Sequence, residues 1–207
     1  AAIHAMDTTD VAVRRRAASE LASRAAAEPL GRLATARLAS QAIQETDALV
    51  WRSLLTAVSG DASEPAIRLA YAAVGDPSAE VRRRACENLA AQASPRHAAV
   101  LLPALADANP AVAGAAIAAL VAGGQLEDTG PLRDVLAASN ESLRASAAAA
   151  LVRFGDAAGV DALGQLAHSR DVAVRQQVAE AMGASGDPRF APALITMLDD
   201  HLTVRRA

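Results

Sequence analysis

The sequence is built from a unit that returns about every 31 residues. The stretch DPSAEVRRRACENLA at 76–90 has counterparts at 10–22, 139–152 and 169–182. The apolar residue that opens each stretch recurs at intervals of 37, 31, 31, 31, 31 and 30 residues along the 207-residue chain. A period kept over so many intervals is the signature of a repeat array, in which each unit packs on its neighbours. The opening residues are Val13, Val50, Val81, Val112, Leu143, Val174 and Val204.

Each unit has the pattern of a helix, a turn and a second helix. Three positions before most opening residues stands a short polar residue that can cap a first helix. Apolar residues four and eight positions after the opening residue keep one stripe of that helix facing inward. A glycine at twelve positions can end the helix in a left-handed conformation; where Ala93 replaces it, we expect Pro95 to end the helix. The predicted caps are Asp10, Asp47, Ser78, Asn109, Asn140 and Asp171, and the predicted glycine ends are Gly124, Gly155 and Gly186.

The composition favours an all-α fold. Hydrophobic residues make up 52% of the chain but aromatic residues only 2%, so helices must approach closely to bury Ala, Leu and Val. No stretch alternates apolar and polar residues as a strand would. We therefore expect one domain over 1–207, an α-solenoid with a right-handed superhelix of about six stacked helical hairpins. Neither end looks capped by a polar unit, so we expect partial units at both ends and a longer parent chain. The predicted units are 7–45, 46–75, 76–106, 107–137, 138–168 and 169–198.

The unit resembles a HEAT repeat, most clearly in RDVAVRQQVAEAMGASGDPRFAPALITMLDD at 170–200. The similarity is to the short bacterial variety of these repeats that was first noted in bilin lyases. It implies a protein-binding solenoid, in which the arginine after the opening residue pairs with a turn aspartate of a neighbouring unit. Those arginines are Arg14, Arg82, Arg144, Arg175 and Arg205, with Asp76, Asp107 and Asp171 as plausible acceptors.

No pattern typical of a catalytic or metal site is found in the sequence. The four histidines are widely separated, and none forms the His-Glu pair on which HEAT-like di-iron hydroxylases rely. The stretch Gly183-Ala-Ser185-Gly lies at a predicted helix end rather than at the strand–helix elbow of a hydrolase. The single cysteine, Cys86, falls on an apolar helical position and should be a buried, inert thiol. We expect a non-catalytic protein that needs neither metal nor cofactor.

Nucleic acid and membranes are not the expected partners. The net charge is -3, and few aromatic side chains could stack on bases. Three consecutive arginines at 14–16 and at 82–84 could contact phosphates, as in HEAT-like DNA glycosylases, but inter-unit pairing explains them better. No apolar run reaches the length of a membrane span. A cytoplasmic location is slightly favoured.

The second helices are the expected binding surface, because they usually line the concave side of such solenoids. The partner would be a protein, a peptide or another domain of the same chain; tetrapyrrole binding, as in bilin lyases, is the alternative. For any one residue, ordinary solvated surface is the simpler interpretation. The candidate contact residues are Arg133, Asp134, Gln165 and His168 on second helices, with Val100, Leu102, Ile195 and Thr196 beside them, and Arg96, His97 and Arg189 in turns.

Trp51 is a further candidate, because it stands where most units have arginine. A partly exposed tryptophan would suit a binding hot spot. The alternative is that Trp51 packs under the first unit, where about six additional residues fall within 24–45. Pro103, inside a predicted second helix, should kink that helix.

Overall fold

A computed structural model describes residues 2–198, and this part of the chain contains helices and no strands. Within it no helix is long and apolar enough to cross a membrane. Short 3₁₀ turns at Pro95–His97, Pro103–Ala106 and Pro188–Phe190 interrupt the α-helices. The α-helices are α1 (Ala2–Ala5), α2 (Val11–Ala27), α3 (Arg32–Ala42), α4 (Ala48–Ala57), α5 (Glu64–Val74), α6 (Ala79–Gln92), α7 (Ala98–Leu101), α8 (Pro110–Gly123), α9 (Gly130–Val135), α10 (Glu141–Arg153), α11 (Ala157–Leu166), α12 (Val172–Ser185) and α13 (Ala191–Met197).

Within residues 2–198, helices α2 to α13 form six consecutive hairpins, which confirms the predicted all-α solenoid. Even-numbered helices from α2 to α12 are the first, or A, helices, and odd-numbered helices from α3 to α13 are the second, or B, helices. Each A helix packs on the A helix of the next unit, as α6 does on α8. Helix α10 contributes one face to a large apolar cluster that extends back to Ala2 and another face to a smaller cluster that extends to Met197. The apolar seam therefore passes through α10 from one cluster to the other.

The predicted helix starts and stops depend on local chemistry, and most are confirmed. The side chains of Asp10, Asp47, Asn109, Asn140 and Asp171 accept backbone N–H groups at the starts of their helices, while Ser78 holds the cap position without such a bond. Gly124, Gly155 and Gly186 have φ values of 76°, 77° and 64°.

Ala93 corrects the prediction that Pro95 ends α6. Ala93 itself takes the left-handed conformation, with φ 47° and ψ 52°, although a Cβ makes it unfavourable. Pro95 instead begins the following 3₁₀ turn. The proline therefore follows a helix end that the alanine backbone has already made.

The arginine after the opening residue forms a hydrogen bond with the loop before its own helix. Its Nη1 group donates to the carbonyl oxygen six residues earlier in four units, at 3.0 Å for Arg14, 2.9 Å for Arg82, 3.2 Å for Arg144 and 2.8 Å for Arg175. The predicted inter-unit pairing with a turn aspartate is found between Arg82 and Asp107, where Nε lies 2.6 Å from Oδ2. In these four units the arginine thus fixes the A helix to the loop that precedes it.

Other predicted pairings differ from one unit to the next. Arg14 uses Glu45 in place of an aspartate, with Nε 2.8 Å from Oε2, and Arg144 pairs with Glu141 of its own helix. Asp171 caps its own helix, and the Asp76 backbone carbonyl rather than its carboxylate accepts from Arg82. Arg205, Val204 and the partial unit at 204–207 lie outside the described residues.

Pro103 does more than kink its helix. The predicted second helix of the third unit is split into α7 and a 3₁₀ turn that begins at Pro103, because proline has no N–H to donate to the preceding turn.

Candidate functional site

Trp51 is buried, which corrects the prediction that it is partly exposed. Only 3% of the residue is accessible, and the indole N–H donates to the backbone oxygen of Glu45 at 3.2 Å. Glu45 ends the segment 24–45, so the alternative, packing against the insertion, is closer to what the structure shows. Arg14 holds the Glu45 carboxylate, and this contact lowers the pKa of Glu45 against the opposing effect of burial, which is the larger single influence. Trp51 is therefore part of the junction between units one and two, and no partner can contact it.

His97 is also buried, with 0% of the residue accessible, so it is not a surface contact as predicted. Its Nδ1 lies 2.8 Å from the Tyr71 hydroxyl, and the two rings meet edge to face. Nε2 has no hydrogen-bond partner, and burial lowers the pKa of the imidazole, with a smaller contribution from Arg96. His97 thus joins α5 to the 3₁₀ turn of unit three.

Gln165, His168 and Arg189 are exposed and lie together on the B-helix side. Three depressions of about 670, 580 and 520 Å³ lie beside α11 or the loop that follows it, and His168 lines all three. Gln165 lines two of them, and Arg189 lines the one between α11 and the start of α13. We call the three depressions together the His168 groove. Thr196 on α13 also borders it.

Several polar side chains of the His168 groove have no partner within residues 2–198. No ion pair or side-chain hydrogen bond engages Gln165, His168 or Arg170 there. By contrast, Arg144 is held by Glu141, and Arg189 is held by Asp187, with Nε 2.9 Å from Oδ2. The groove therefore combines fixed charges with side chains whose hydrogen-bonding groups can be used by a ligand.

Asp161 and Arg170 also line the groove, although neither was predicted from the sequence. Asp161 and Gln165 lie four residues apart on α11, so they share one helix face, and His168 follows two residues after that helix ends. That spacing is the signal that would have identified Asp161. Arg170 follows α11 in the loop before α12, where helical spacing gives no indication.

The remaining candidates lie elsewhere on the surface. Arg133 is exposed but engaged, because its Nε donates to Asp156 at 2.7 Å. Together with a hydrogen bond from Thr129, this contact lowers the pKa of Asp156 to about 2. Asp134 and Arg96 are exposed, and neither they nor Arg133 line the His168 groove. Of the apolar neighbours, Val100 and Leu102 are half-buried and Ile195 is exposed.

The described residues give little support for a metal site or a reactive cysteine. No group of three or more His, Cys, Asp or Glu side chains there could hold a metal ion. Burial raises the pKa of the Cys86 thiol to about 11, which keeps it protonated and inert at neutral pH.

The two runs of three arginines are largely engaged with carboxylates. Arg14 and Arg15 pair with Glu45 and Asp47, while Arg82 pairs with Asp107. Arg83 and Arg84 pair with glutamates of their own helix. These contacts support the prediction that the runs serve the fold rather than phosphate binding, and the prediction about nucleic acid stays a prediction.

Comparisons with known proteins agree with this architecture. The sequence profile of the family described as HEAT repeats matches residues 66–138 and 129–207, together more than half of the chain. No curated protein sequence matches the chain. The X-ray structure of Escherichia coli YibA is similar, with a TM-score of 0.74 and 21% identity over 99% of this chain and 77% of that one.

Two further solved structures share the fold. The complex of CpcE and CpcF of phycocyanin lyase from Nostoc sp. gives a TM-score of 0.58 and 20% identity over 93% of this chain and 79% of that one. An engineered protein gives a TM-score of 0.53 and 19% identity over 99% and 91%. At these identities the likeness is one of fold.

Proposed function

Because the chain belongs to the HEAT-repeat family, we propose that it is a non-catalytic scaffold that binds a protein or peptide partner through the His168 groove. The partner would be a separate chain or another domain of the same protein. The observation that carries this proposal is the meeting of three depressions at His168, a residue with no partner within residues 2–198.

The chemistry of the groove suits a polypeptide. Its walls include the half-buried apolar side chains of Leu136 and Val160, which could accept a partner's aliphatic groups. Gln165 offers both a donor and an acceptor, as a peptide backbone requires. These side chains project from α11 and its flanking loops, and α11 is held against α10, so the surface is formed before a partner arrives and less ordering is needed on binding.

Site-specific photocross-linking in cells that express the protein tests this proposal. A benzoylphenylalanine at Gln165 should capture a partner, and the same residue at Ser23, exposed on α2, should not. His168→Glu, placed beside the Gln165 probe, should reduce the yield of cross-linked product at least about tenfold, since hot-spot substitutions commonly have effects of that size. Equal capture at both positions, or capture unaffected by His168→Glu, would contradict the proposal.

Tetrapyrrole binding is the second candidate. The likeness to CpcE and CpcF supports it only at the level of fold, but the depression of about 670 Å³ also carries Arg170, whose guanidinium could pair with a propionate carboxylate. A bilin mixed with the protein should then show a shifted absorbance band that Arg170→Ala weakens, and transfer to an acceptor cysteine can be followed in the same sample. An unchanged spectrum at saturating protein would remove this candidate.

A further inference from the structure

On the opposite side of the array, the A helices form a second groove. It has a volume of about 520 Å³ and is lined by residues of α8, α10 and α12. We propose that this outer groove docks an amphipathic α-helix of a protein partner, one that carries a carboxylate beside its apolar stripe. The proposal is independent of the His168 groove, with which the outer groove shares no lining residue.

The outer groove exists because two neighbouring units lose the charges that their flanking units carry. Two positions after the opening residue, the third to sixth units have Arg83, Gly114, Ala145 and Gln176. Six positions after it they have Glu87, Ala118, Ala149 and Glu180. In the third unit Arg83 and Glu87 form an ion pair across the outer surface, and in the sixth Gln176 donates to Glu180. The fourth unit has only Gly114 and Ala118 there, and the fifth has only Ala149, because its Ala145 is fully buried.

The missing side chains leave a channel that runs along α10 between α8 and α12. Its walls extend from Gly114 to Val121 on α8 and from Gln177 to Ser185 on α12, about two helical turns on each side. Val121 and Val152, both half-buried, add larger apolar surface to the alanines. α8 has no charged residue at all, so its outward side offers a partner nothing but apolar contacts. A short helix laid lengthwise on α10 would cover this surface.

The charge at one end of the channel indicates what the partner helix must carry. Among residues 2–198, Arg153 in the last turn of α10 is the one ionisable side chain that lines the outer groove. It is exposed and has no ion pair within residues 2–198. The polar lining residues Gln177 and Ser146, by contrast, are already bonded to each other, with Nε2 2.9 Å from Oγ. An arginine at the end of an apolar channel is matched by a carboxylate on the occupant.

A displayed library of amphipathic helical peptides of about 14 residues, about four turns, tests the proposal directly. The library varies the apolar stripe and places Glu, Gln or Lys at each end of it. Panning against the wild-type protein should enrich peptides with Glu at one end. The Arg153→Glu variant should bind the enriched peptides at least about tenfold more weakly, because its carboxylate would face the glutamate of the peptide. It should bind the Lys counterparts of these peptides instead.

The Ala118→Glu variant should also bind the enriched peptides at least about tenfold more weakly, because the substitution puts a charged side chain into the apolar channel. Ala91→Glu is the matched control: it makes the same substitution at an exposed position of α6, outside the groove, and should change nothing. Circular dichroism establishes that each variant is folded. Enrichment without a preference for Glu, or equal binding to Ala118→Glu, would overturn the proposal. So would a wild-type dimer that Ala118→Glu dissociates, since a second copy would then fill the groove.

Discussion

Two glycines on α11 provide a sharp test of how closely the helices of one unit pack. A Cβ at Gly159 would lie 2.5 Å from the backbone oxygen of Ala148 and 2.7 Å from the backbone nitrogen of Val152, both on α10. Real Cβ contacts are rarely that short, and backbone atoms cannot rotate away. At Gly164, on the same helix, a Cβ would meet nothing within 4 Å. Alanine should therefore be tolerated at Gly164 and should force the two helices apart at Gly159.

Comparing the two alanine variants separates the cost of the steric clash from the general stabilisation that alanine gives a helix. Gly164→Ala should stabilise the protein by about 0.5–1 kcal/mol, since glycine is unfavourable in a helix. Gly159→Ala gains a similar amount but also suffers overpacking, which costs about 1–3 kcal/mol. The difference in free energy of unfolding between the two variants is then about 1–3 kcal/mol, measured by urea denaturation followed by circular dichroism. If the two variants were equally stable, α10 and α11 would not pack as closely as described.

Three more predictions concern the core and its charges. Trp51→Phe keeps most of the ring but removes the N–H that Glu45 accepts, so it should lose about 1–3 kcal/mol of stability in the same denaturation assay. Leu151→Ala, at a fully buried position, should cost about 2–5 kcal/mol, and a loss below about 1 kcal/mol would contradict the repeat register. The pKa of His97 is lowered on folding, so the stability it contributes is present above its ordinary pKa of 6.5 and lost as the pH falls below it. Melting temperatures between pH 7.5 and 5 should therefore fall less in His97→Phe than in the wild type.

The general architecture could be predicted from the sequence because its determinants are local. Asp171, Asn140 and Gly186 each act within a few residues of their own position, through a backbone N–H or a left-handed φ, so one sequence position carries the whole signal. Repetition then places the same signal in unit after unit. Arg144 shows the limit of this approach, because its carboxylate partner is in its own helix rather than in the next unit.

The errors at Trp51 and His97 arose where a residue type changed at a repeated position. The arginines of other units predict that Trp51 is exposed only if its indole ring points in the same direction as their side chains. The insertion in unit one gives the indole a buried position beside Glu45 instead. His97 ends the 3₁₀ turn Pro95–His97 as Phe190 ends the turn Pro188–Phe190, and Phe190 is buried too. Aligning PRH with PRF would have predicted that the imidazole points inward.

The same comparison between units explains where binding surfaces can arise in this molecule. The inward stripe and the caps must be kept in every unit, because each unit stacks on the next. Outward positions are free of that requirement, so a change there reflects something other than the stack. Gly114 and Ala118 stand where the third unit has an ion pair, and they leave an open channel. Gln165 on α11 and His168 just after that helix have no side-chain partners among the described residues. Both grooves include residues of unit five, which can therefore contact one partner through its A helix and another through its B helix.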